Sequence, residues 1–91
     1  MSVQVRIPLT LRRLTHEQEI VEVQAATVAG VIEALHARYN GIRDRIMDKT
    51  GRVRGSVLVF VNEEDIRFLQ NESTPLKDGD EISIVPAFAG G

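Results

Sequence analysis

Only one stretch of this chain repeats its apolar residues at helical spacing. Val28, Val31, Ile32, Leu35 and Tyr39 fall on one stripe, while Glu33, His36 and Arg38 face elsewhere. Thr27 is placed to cap the first turn with its hydroxyl, and Asn40-Gly41 closes the helix with a residue suited to left-handed backbone. Gly30 in the first turn costs about 1 kcal/mol relative to alanine, which points to close backbone approach or simple tolerance. Each large side chain on the stripe stabilises by roughly 1.5 to 3 kcal/mol when buried, enough to fix the helix against a sheet. A chain of 91 residues supports about one sheet with one helix across it, so one sheet face is covered and the other is not.

The flanking segments supply the sheet. Val3, Val5 and Ile7 alternate with Gln4 and Arg6, the period of a half-buried strand ending near Pro8. After the Leu9–Thr15 connection and a polar tip at His16-Glu17-Gln18, a second strand runs through Ile20, Val21 and Val23 and pairs antiparallel with the first. Beyond the helix, residues 42–55 read as an exposed basic loop, with Ile42 and Ile46 able to pin a short helical turn to the core. Ser56 to Asn62 is apolar on both faces, as a central strand is. Asn62-Glu63-Glu64-Asp65 forms a turn into a short strand Ile66-Arg67-Phe68. Thr74-Pro75 starts a helical turn, and Lys77-Asp78-Gly79-Asp80 turns tightly into a last strand through Ile82, Ile84 and Val85. Strand, strand, helix, strand, short strand, strand is the order of the ubiquitin-like β-grasp. The expected fold is therefore α+β, a mixed four- to five-stranded sheet with one main helix across one face. Either Leu58 and Phe60 or Val57, Val59 and Val61 must point away from that helix, which makes Leu58, Phe60 and Val59 the candidate partner-docking residues.

Composition narrows the function classes. At 43% hydrophobic and 26% charged residues the chain is an ordinary globular domain, and without cysteine it has neither disulfides nor thiolate metal sites. The N-terminus begins directly as a strand with no signal-peptide pattern, and no apolar run is long enough to span a bilayer, so the expected location is cytoplasmic. A net charge of −2 gives no general attraction to nucleic acid or anionic lipid, and the basic loop has no aromatic residue for base stacking. The three consecutive acids Glu63, Glu64 and Asp65 lack the spacing of a calcium site. His16 and His36 have no nucleophile beside them and read as surface residues. No acid/base pair, metal cluster or phosphate loop is visible, so an enzyme acting alone is disfavoured.

The end of the chain is different. Pro86 has no N–H for further ladder bonding, and Ala87, Phe88, Ala89, Gly90 and Gly91 follow without a polar side chain. Two glycines without Cβ can lie in a channel too narrow for other residues and present one carboxylate there. A terminal Gly-Gly taken alone also fits a frayed end. The expected organisation is a β-grasp domain over 1–86 and a flexible tail over 87–91.

Asp78-Gly79-Asp80-Glu81-Ile82-Ser83-Ile84-Val85-Pro86 directly before Gly90-Gly91, Val61-Asn62 at the end of the central strand, and Leu11-Arg12-Arg13-Leu14-Thr15 after the first strand together resemble the MoaD/ThiS sulfur-carrier family. Ile46-Met47-Asp48, the run from Val61 to Phe68 and the run from Pro86 to Gly91 are most similar to the CysO type within it, which supplies sulfur for cysteine synthesis. MoaD-type chains often carry Gly-Gly where His16-Glu17 stand here, and ThiS-type chains are shorter. The resemblance implies that the Gly91 carboxylate is adenylated by a MoeB/ThiF-like enzyme using ATP and magnesium and is then converted to a thiocarboxylate. Ala87, Phe88, Ala89 and Gly90 would occupy the partner's active site. A cysteine synthase or a molybdopterin synthase large subunit would accept the sulfur, and the protein would hold no cofactor or catalytic side chain of its own. A MoaD-like subunit for molybdenum cofactor synthesis, a ubiquitin-like modifier and a plain interaction module are the alternatives.

Overall fold

A computed structural model describes residues 1–86. Five strands, β1 (Ser2–Arg6), β2 (Ile20–Gln24), β3 (Val57–Val61), β4 (Glu64–Asp65) and β5 (Glu81–Pro86), form one sheet in the order β2-β1-β5-β3-β4. β1 pairs antiparallel with β2 and parallel with β5, while β3 pairs antiparallel with β5 and β4. This is the mixed β-grasp sheet. The principal helix α1 (Val28–Arg38) crosses one face.

Local chemistry explains the element boundaries. The Thr27 hydroxyl accepts the Gly30 amide at 3.1 Å, satisfying one donor of the first turn. Val28, Val31, Ile32 and Leu35 are all buried, together with Val3, Val5, Val21 and Val23 from the hairpin and Val59, Val61, Ile82 and Ile84 from the other strands. Alternation in β1, β2 and β5 thus sends one residue in two into the core.

Three segments differ from their sequence-based reading. Residues 42–55 are not a loose loop. Gly41, with φ of 91°, reverses the chain into a second helix, α2 (Ile42–Ile46), whose Ile42 and Ile46 are completely buried. The segment then folds back through an antiparallel bridge between Met47 and Val53. The helical turn expected of Ile42 and Ile46 is thus present, while the return of the chain, with Met47 buried and Val53 packed against the core, is what the charged composition hides. Ile66–Phe68 is a 3₁₀ turn rather than a strand. Asn62 and Glu63 both have positive φ, giving a two-residue hairpin loop of the type I′ kind, and β4 ends almost at once because the Asp65 carboxylate caps the following turn. Thr74-Pro75 does not start a helical turn either. Asn71–Ser73 is the 3₁₀ turn, and Pro75 bridges to Thr27.

The Leu9–Thr15 connection is a 3₁₀ helix. Leu11 anchors it and Leu14 packs against the core edge, whereas Leu9 is exposed. Thr15 is fully buried, with its hydroxyl between the Arg12 and Gln18 carbonyls at 3.2 and 3.0 Å. No helix among the described residues is long and apolar enough to cross a membrane.

Candidate functional site

β5 lies between β1 and β3, so the chain beyond it leaves from the middle of the sheet rather than from an edge. Its last residue, Pro86, stands opposite Val57 at the start of β3. Pro8, Leu11, Arg45, Ser56, Val57 and Pro86 line a groove around this departure point. The expected tail residues Ala87, Phe88, Ala89 and Gly90 and the expected adenylation site Gly91 lie outside the described residues.

The face away from α1 carries the candidate docking side chains, and burial decides their parity. Val59 is 2% exposed, opposite Ile84 and within the core cluster that the stripe of α1 shares. It is a core residue and not part of a docking face, a correction that follows from the helix covering the odd-numbered side of β3. Leu58 and Phe60 are half-buried on the other side, opposite Val85 and Ser83 respectively. Val85 is exposed, so Leu58, Phe60 and Val85 form a small apolar patch on the last strands before the tail. Val85 was missed as a member of this patch, although the alternation Ile82-Ser83-Ile84-Val85 carries the signal. Arg6 borders the patch beyond Ser83 and pairs with Glu19 at 3.3 Å.

Two carboxylates outside the groove are held ionised by local hydrogen bonds. Asp65 accepts the Arg67 guanidinium at 2.7 Å and the Arg67 amide at 2.8 Å, and these bonds hold its carboxyl below the usual range. It is buried and ion-paired rather than solvated at a hairpin tip. The Asp48 carboxyl is likewise lowered, first by the Thr50 hydroxyl at 2.6 Å and then by the Arg52 amide. Among the described residues no three His, Cys, Asp or Glu side chains converge as metal ligands. His16 is exposed and tilts against the Tyr39 ring at 5.6 Å. His36 is half-buried, with Nδ1 covered and lacking a hydrogen-bond partner among the described residues, because it flanks the apolar stripe of α1. Neither histidine adjoins the groove around Pro86.

Comparison with known proteins identifies the family to which this fold belongs. The ThiS family matches residues 5–91. The chain belongs to the ThiS family. It is 42% identical to the sulfur carrier protein CysO of Mycobacterium tuberculosis over the whole of both chains. It is 32% identical to small archaeal modifier protein 3 of Haloferax volcanii, again over the whole of both. A crystal structure of the Amycolatopsis orientalis BexX/CysO complex contains a chain that superposes with a TM-score of 0.92 at 38% identity, covering 98% of this chain and 99% of that one. The ThiS-family match includes Gly90 and Gly91, so family membership extends through the part of the chain beyond Pro86.

Proposed function

We propose that this protein is a sulfur carrier, a protein co-substrate rather than a catalyst, whose Gly91 carboxylate becomes a thiocarboxylate. The observation that carries the reading is the full-length 42% identity to CysO, joined to a tail rooted in the central strand β5. A rigid sheet fixes where the tail starts, and a side-chain-free end lets the carboxylate enter a partner's channel.

The chemistry requires activation. Attack on a carboxylate would add charge to a group already anionic and without a leaving group. A partner enzyme of the MoeB/ThiF kind would join the Gly91 carboxylate to the α-phosphate of ATP, releasing pyrophosphate, with magnesium balancing the phosphate charge. A sulfide nucleophile would then attack the acyl carbon, form the C–S bond and expel AMP. The carrier docks through Leu58, Phe60 and Val85 while Ala87 to Gly90 thread the channel. The same tail would then enter a sulfur-accepting enzyme, and likeness to CysO favours cysteine synthesis as the destination.

Intact mass spectrometry after incubation with the adenylating enzyme, MgATP and a sulfide source tests this. The expected result is one sulfur in place of one oxygen, localised to Gly91 and absent when Gly91 is deleted. An unchanged mass with an enzyme competent on another carrier would rule the reading out. The identity to small archaeal modifier protein 3 keeps a modifier role as the second reading, and conjugates on a denaturing gel would separate it.

A further inference from the structure

The net charge of −2 conceals a separation of charge along the sheet. The end of β1, the start of β3 and the end of β5 lie together because β1 and β5 are parallel and β3 is antiparallel to them. Arg45 lines the groove beside Ser56, Val57 and Pro86, and Arg52 and Arg54 line an adjoining cleft that shares Val57 and also holds Arg67, Asp65 and Glu72. Arg45 and Arg52 are exposed and make no ion pair among the described residues. At the other end of the same strands stand Glu63, Glu64, Asp80 and Glu81.

The basic segment is held in place. The Arg54 amide donates to the Ile46 carbonyl at 2.9 Å, its Nε donates to the Asp44 carbonyl at 2.8 Å, and Asp48 accepts the Thr50 and Arg52 amides at 2.8 and 3.2 Å. The backbone that carries Arg45 and Arg52 is therefore ordered before any partner arrives, so less of it has to be ordered on binding. We infer that Arg45 and Arg52 form a basic collar at the tail exit that docks on an acidic rim around the channel of the adenylating enzyme. The inference rests on the sulfur-carrier reading and adds the chemistry of the approach. Separated charge orients the molecule during encounter, so the tail end arrives first and the acidic end is turned away. It also offsets the repulsion that the tail's own carboxylate meets at an acidic rim. A protein surface fits better than nucleic acid because neither groove lined by these arginines contains an aromatic side chain on which a base could stack.

Pyrophosphate release by the cognate adenylating enzyme, followed against carrier concentration at low and high salt, tests it. The Arg45→Glu/Arg52→Glu variant is expected to raise KM about tenfold or more at low salt with kcat unchanged and to lose most of the salt dependence. Arg45→Lys/Arg52→Lys restores KM, and Arg45→Gln/Arg52→Gln, which avoids reversal altogether, is intermediate. Glu63→Lys/Glu64→Lys leaves KM at or below the wild-type value. An unshifted KM in the first variant, or an equal rise in the Glu63 and Glu64 variant, overturns the collar while wild-type turnover keeps the carrier reading intact. Absence of wild-type turnover overturns both. Salt-dependent binding of a single-stranded RNA probe that is lost in the reversed variant, with KM unmoved, overturns the acidic-rim partner.

Discussion

Asp65 lies directly across from Phe60, and its carboxylate is committed to the Arg67 guanidinium and to the amide that starts the following turn. Because these bonds favour the ionised form, the folded-state pKa lies below the ordinary 3.8. A group depressed in this way contributes stability that is fully present above its unfolded value and is lost as pH falls through the folded value. Urea unfolding as a function of pH is therefore expected to show a gap between wild-type protein and Asp65→Asn that is constant above the ordinary carboxyl range and closes as pH falls below about 3.8. Asp65→Ala, which also removes the cap, is expected to cost about 1 kcal/mol at neutral pH. A separation that persists unchanged in acid would mean that packing, not ionisation, is the contribution of Asp65. None of this was legible in the run Glu63-Glu64-Asp65, which reads as a solvated acidic tip. The partner two residues on becomes visible only once the hairpin turn is known.

β3 presents the same difficulty one level up. Its Val57-Leu58-Val59-Phe60-Val61 run identifies a central strand, but an apolar residue at every position carries no alternation from which to read the faces. Tertiary packing supplies the parity, because Val59 and Val61 are buried in the same core cluster as the stripe of α1 and leave Leu58 and Phe60 only half-buried. In contrast, α1, the β1–β2 hairpin and β5 were legible from period and caps, since each has one wet face. Two substitutions on β3 separate docking from folding. Leu58→Glu is expected to weaken binding to the adenylating enzyme roughly tenfold, about 1.4 kcal/mol, with a small change in stability. Val59→Glu places a charge in the core and is expected to cost several kcal/mol, enough to abolish cooperative folding. Isothermal titration with circular dichroism on each variant checks both. Full affinity in the Leu58→Glu protein would remove β3 from the docking face.

Among the described residues, the buried core runs from Val3 to Ile84. The candidate site is thus divided. Its proposed support, the groove beside Pro86 and the patch of Leu58, Phe60 and Val85, lies within the described residues, whereas the proposed carboxylate is legible only as chemistry, from two glycines that end an uncharged run. Such a division allows stability and activity to be altered independently. Truncation after Pro86 is expected to shift the thermal midpoint by less than about 4 °C, which for a domain of this size corresponds to under about 1 kcal/mol. The truncated protein should still compete with the full chain for the adenylating enzyme through its sheet face while undergoing no conversion itself. A large fall in midpoint would show that residues 87–91 pack on the domain. An unchanged midpoint without competition would shift the recognition energy from the sheet to the tail, and the collar and patch would then matter for encounter alone.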